Sequence, residues 1–190
     1  MIYATIISRI FEPVILFLVL FAVTLSRAAL TTEEIILYCS VVLLGIVFPT
    51  IGLLLYAMKK KKISSWDISN RQERVKALSV FLVFLIIGVI LISFLGHATV
   101  TRFFLLFGST YIGFFLVTLW FKISGHLTVA TLFVGSMMYW FGGYTWALVF
   151  VLPILAWSRV LLKRHTVFQV ITGTFYGACI VGAGIYWQLL

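Results

Sequence analysis

Three short polar segments interrupt an otherwise apolar chain, and they hold nearly all of its reactive side chains. They are Asp67, Arg71 and Arg74; then Lys122, Ser124, Gly125 and His126; then Ser158, Arg159, His165 and Gln169. These residue types suit the handling of a phosphate. Guanidinium forks neutralise and orient phosphate oxygens two at a time. Backbone N–H groups where a helix begins, as expected near Ser124-Gly125, bind such oxygens as well. One imidazole can attack phosphorus while a second protonates the departing oxygen. No cluster of carboxylates suited to magnesium appears, so no metal and no cofactor is expected.

These residues must be positioned by membrane helices. The chain has 190 residues, of which 63% are hydrophobic and only 10% charged, and its mean hydropathy is +1.20. Ordinary soluble chains carry about 25% charged residues, so most side chains here face lipid or other helices. A bilayer core takes about 20 apolar residues as helix, and lipid tolerates no unpaired backbone. Stretches lacking charged residues run over 13–26, 35–58, 77–101, 103–121, 127–158 and 166–190. The second is expected to bend at Pro49. The fifth is too long for one pass, and Gly142-Gly143 at its middle predicts a hairpin of two short helices. The expected fold is therefore an all-α, polytopic transmembrane bundle of six to seven spans, built as one domain over residues 1–190, with its site at one membrane face. The opening Met1-Ile2-Tyr3-Ala4 has no basic lead-in and no small-residue cleavage site follows Leu20, so the first stretch is expected to remain as a span. Tryptophans near span ends, Trp120 and Trp157 among them, fit an interfacial belt.

With seven passes, Arg9, Lys59 to Lys62, Arg71, Arg74, Lys76, Lys122, His126, Arg159, Lys163, Arg164 and His165 fall on one side. The other side keeps only Arg27, Glu33, Glu34, His97 and Arg102. The positive-inside rule assigns the basic side and the N-terminus to the cytoplasm. The net charge of +9 is thus read as topology and attraction to anionic head groups rather than nucleic-acid binding. The run Lys59 to Lys62 reads as a surface anchor. Cys39 and Cys179, far from any charge, read as packing thiols. Gly173, Gly177, Gly182 and Gly184 predict close helix packing within the chain.

The order and spacing of the polar segments resemble the type-2 phosphatidic-acid phosphatase superfamily, which includes lipid phosphate and isoprenyl-diphosphate phosphatases. Its third motif, Ser-Arg-x5-His-x3-Asp, is matched by Ser158-Arg159, His165 and Gln169. Its second, Pro-Ser-Gly-His, is matched by Ile123-Ser124-Gly125-His126. Its first, Lys-x6-Arg-Pro, is degenerate, with Asp67 at the lysine position, Arg74 in place and Val75 for the proline. The resemblance covers roughly residues 60–185. It implies that His165 forms a phosphohistidine, that His126 protonates the leaving lipid oxygen, and that Arg74 and Arg159 clamp the phosphate with support from Ser124 and the Gly125 N–H. Arg71 is a candidate second fork, and Lys122 a candidate for the role of the missing lysine. The implied substrate is a membrane lipid monophosphate or diphosphate, such as phosphatidate, phosphatidylglycerol phosphate or an isoprenyl diphosphate. The implied setting is a prokaryotic cytoplasmic membrane. Gln169 stands where the family has the aspartate that orients the nucleophile. At i, i+4 on a helix its amide oxygen can still accept the His165 Nδ1 proton, with Asp67 or Glu73 as candidate carboxylates from another loop.

Overall fold

The structure is a computed structural model that describes residues 1–63 and 71–190, with Arg71 described in its backbone only. Nine α-helices follow one another among the described residues: α1 (Ile2–Ile10), α2 (Pro13–Arg27), α3 (Thr32–Val42), α4 (Phe48–Lys59), α5 (Arg71–Leu95), α6 (Ala98–Trp120), α7 (Gly125–Phe141), α8 (Val151–Leu161) and α9 (Val167–Tyr186). No strand occurs among them. Among the described residues, six helical stretches are long and apolar enough to cross a membrane: Ile2–Arg27, Thr32–Lys59, Gln72–Leu95, Ala98–Trp120, Gly143–Leu161 and Val167–Tyr186. Helix α7, with 17 residues, is about 26 Å long at 1.5 Å per residue, close to the thickness of the hydrocarbon core. The chain is an all-α, multi-pass membrane protein.

The boundaries follow local chemistry. Between α1 and α2 the helix breaks at Phe11-Glu12, because Pro13 brings no N–H and restricts the residue before it. The first span thus reaches back to Ile2, further than the charge-free window 13–26. The expected bend at Pro49 takes the form of a π-helical turn, Leu43–Val47, joining α3 to α4. The proline ring crowds the carbonyl four residues back and offers it no hydrogen bond, and the widened turn just ahead accommodates both effects. Helices α5 and α6 part at Gly96 (φ +81°) and His97, a few residues before the expected break at Arg102. The predicted glycine hairpin is present. Gly142 and Gly143 have φ of +56° and +40°, where side chains are disfavoured, and a 3₁₀ stretch (Gly143–Phe150) leads into α8.

Where the sequence reads as one domain, contacts gather the chain into two compact units: Met1–Val23 with Lys122–Leu190, and Thr24–Phe121. In the first unit, Leu16 of α2, Leu127 and Ala130 of α7, Leu155 of α8 and Val170 of α9 form one buried cluster. Of the glycines predicted to pack closely, Gly173 and Gly177 do so here, whereas Gly182 has nothing within 4 Å of an added Cβ because it faces away from α7. Helix α9 lies on α7 so closely that a Cβ at Gly173 would come within 2.7 Å of the Ser124 carbonyl, and one at Gly177 within 2.7 Å of the Thr128 carbonyl. In the second unit, Ile46 packs into the space left by Gly88. There Tyr38 Oη accepts the His97 N–H at 3.3 Å, and Tyr111 Oη donates to the Leu78 carbonyl at 3.2 Å.

Candidate functional site

Most of the sequence-predicted residues lie in the first unit, around the N-termini of α7 and α9 and the C-terminus of α8. Helix α7 is capped by Ser124, whose Oγ accepts the Leu127 N–H at 3.5 Å. This places Gly125 and His126 in the first turn, where the unpaired N–H groups of a helix gather. Helix α9 begins with a capping box: the Gln169 N–H donates to Thr166 Oγ1 at 3.3 Å, and the Thr166 N–H donates to Gln169 Oε1 at 3.2 Å. The two starts touch through the main chain, where the Ser124 N–H donates to the Gln169 carbonyl at 3.1 Å. The Thr128 hydroxyl sits within reach of the carbonyls of Ser124 (3.1 Å) and Gly173 (3.2 Å). Lys122 Nζ donates to the Arg164 carbonyl at 3.0 Å, tying the second motif segment to the loop that carries the third.

That loop is folded by its backbone. Leu162 N–H donates to the Ser158 carbonyl, and the N–H groups of Arg164 and His165 both turn back to the Arg159 carbonyl, at 3.1 and 3.3 Å. Lys163 takes a left-handed conformation (φ +56°) to allow this. The result is a tight connection that delivers His165 at the mouth of α9.

The state of His165 follows from its neighbour. Its Nδ1 lies 3.1 Å from the side-chain oxygen of Gln169. The same oxygen accepts the Thr166 N–H. A backbone N–H is only a donor, so the atom facing it must be the amide oxygen rather than the NH₂ group. An amide oxygen can only accept, so Nδ1 must carry the proton. In the neutral ring the lone pair is then on Nε2. The expected i, i+4 contact is therefore present, but Gln169 also serves the helix cap, a role any capping box gives to Glu or Gln at that place.

Arg159 is 2% exposed, and its Nη1 donates to Ser8 Oγ at 2.7 Å. The adjacent Ser158 hydroxyl donates to the Ala4 carbonyl at 2.6 Å. Helix α1 is thus fastened along α8 by the two residues that open the third motif. His126, 9% exposed, faces Glu12, with Nε2 and Oε2 3.6 Å apart, and Glu12 Oε2 also lies 3.3 Å from Arg9 Nη1. Ser8 and Glu12 were not among the residues expected here. The one signal for them was spacing, since Ser8 and Glu12 stand four residues apart, the interval that places residues on one helix face.

Arg74 belongs to the second unit, where it is buried with its guanidinium over the Phe114 ring, 5.2 Å from the centroid. Glu73 lies in that unit too, and Arg71 opens its helix α5. Asp67 lies outside the described residues. Among the described residues, no three His, Cys, Asp or Glu side chains gather as a metal site would need. Compared with protein-family models, with curated proteins and with solved structures, the chain matches none of them.

Proposed function

We propose that this membrane protein is a lipid phosphatase. It would remove phosphate from a lipid monophosphate or diphosphate of the phosphatidate, phosphatidylglycerol phosphate or isoprenyl diphosphate class, without a metal. The observation that carries the reading is the 3.1 Å contact of His165 Nδ1 with the Gln169 side-chain oxygen, which leaves Nε2 of the neutral ring as the acceptor nitrogen, at a loop held against the His126 segment. Two helix N-termini meet there beside Lys122, which favours a bound anion.

In the proposed reaction His165 Nε2 bonds to phosphorus as the bond to the lipid oxygen breaks. The departing oxygen keeps that electron pair and takes a proton from His126. Water then attacks the phosphohistidine, His126 recovers a proton from it, and His165 and inorganic phosphate are released. Gln169 keeps the Nδ1 proton in place through both steps. Arg159, Lys122, Ser124 and the Gly125 N–H, all of the first unit, are assigned to the phosphate, which a lipid brings in from the bilayer. The distribution of basic residues supports a cytoplasmic face for this site in a prokaryotic plasma membrane.

A second reading, an anionic-lipid binding or transport protein without turnover, is favoured by one feature. The neutral amide of Gln169 orients the ring but stabilises a positively charged phosphoimidazole less than a carboxylate does. A panel of short-chain phosphatidate, phosphatidylglycerol phosphate and isoprenyl diphosphate separates the two readings. The enzyme reading expects phosphate release by wild type, none by His165→Ala, and faster release by Gln169→Asp. Equal inactivity of all three proteins on all three substrates refutes it.

A further inference from the structure

Helix α1 carries no part of the three motif segments, yet it leads into Glu12, a carboxylate 3.6 Å from the site histidine His126. Glu12 sits at the break between α1 and α2, immediately before Pro13, where its carbonyl accepts the Leu16 N–H. A carboxylate at a helix start is stabilised by the free N–H groups there. Arg9 holds it at 3.3 Å on one side and His126 stands at 3.6 Å on the other. Arg159 of α8 also acts on Glu12. His126 thus faces Glu12 from the α1 side, and Arg9 and Arg159 both act on that carboxylate. Helix α9, its other neighbour, contributes His165 at its mouth.

We infer that Glu12 is the positioning residue of His126, holding its imidazole in place and in the charged, proton-bearing form. Burial alone favours the neutral ring, whereas a carboxylate within a few ångströms favours the charged one. Glu12 thereby separates the two histidines by environment. His165 faces a neutral amide and keeps a lone pair, while His126 faces an anion and keeps a proton. A nucleophile and an acid need that division. The use made of the proton rests on the phosphatase reading, but the pairing does not. In that use, the proton leaves the ring nitrogen turned away from Glu12 and goes to the lipid oxygen as its bond to phosphorus breaks. The ring is left neutral, with its remaining N–H toward Glu12.

The test compares wild type, Glu12→Gln and Glu12→Asp in micelles, with ¹³C- and ¹⁵N-labelled histidine assigned through single histidine substitutions. In Glu12→Gln the titration midpoint of His126 is expected to fall by about one unit or more, with those of His97 and His165 unchanged; Glu12→Asp should restore most of the shift. The alkaline limb of kcat/KM on short-chain phosphatidate should move down by the same amount. An unmoved His126 midpoint in a Glu12→Gln protein with native His97 and His165 signals overturns the inference. If the midpoint moves but no lipid phosphate is hydrolysed by any of the three proteins, the pairing stands and the phosphatase reading alone falls.

Discussion

Alanine at Gly173 tests how the two histidine segments are held together. The new Cβ would lie 2.7 Å from the Ser124 carbonyl oxygen, 3.2 Å from its nitrogen and 3.3 Å from its Cβ. Ordinary contact begins near 3.5 Å, so α9 must retreat by several tenths of an ångström from a neighbour that is backbone and cannot rotate away. Overpacking of this kind costs about 1–3 kcal/mol. The retreat also stretches the Ser124 N–H bond to the Gln169 carbonyl and the Thr128 contact to the Gly173 carbonyl, each worth about 1 kcal/mol. The expected loss is thus about 2–4 kcal/mol, or a fall in Tm of roughly 5–15 °C for a chain of this length. Gly182→Ala is the matched control, because nothing lies within 4 Å of its Cβ. There alanine should stabilise the helix by about 0.5–1 kcal/mol. Thermal unfolding in detergent, followed by circular dichroism, reads both. Equal effects at the two positions, or a Gly173→Ala protein as stable as wild type, would refute the backbone-to-backbone packing argued for α7 and α9.

Ser8→Ala removes the acceptor of the buried Arg159 guanidinium at 2.7 Å. A hydrogen bond to a charged group is worth about 1.5–3 kcal/mol, so a drop in Tm of about 3–10 °C is expected, and Ser8→Thr, which keeps the hydroxyl, should lose less. Lys163→Gly relieves a left-handed residue in the α8–α9 turn and should stabilise the protein by about 1 kcal/mol. A lower Tm in that variant would show that the Lys163 side chain contributes more than its backbone strain costs.

The fold was legible because lipid leaves few choices. Charge-free stretches of about 20 residues favour helices, and Gly142-Gly143 in the middle of a 32-residue stretch too long for one pass favours a turn. Boundaries were less legible where the decisive residue is polar but tolerated, as at Glu12, or where a glycine outweighs a nearby charge, as at Gly96 against Arg102. In the site, the contact between His165 and Gln169 followed from helical spacing alone. The ties of Ser8 and Ala4 to Arg159 and Ser158 did not, since they join residues about 150 positions apart and depend on how α1 settles on α8. Glu12 stands beside His126, a carboxylate that the sequence did not single out for either histidine. A single sequence does not disclose which of several distant acids returns to a given loop.

The join between α7 and α9 is made of main chain, with Gly173 and Gly177 removing the side chains that would otherwise intervene. Its persistence therefore does not depend on the identity of the residues at 126 or 165. The frame and the side chains it presents are separable targets for selection. A change at either histidine can therefore leave the frame of α7 and α9 folded. The same separability makes variants at these positions informative, because a silent one reports on chemistry rather than on collapse.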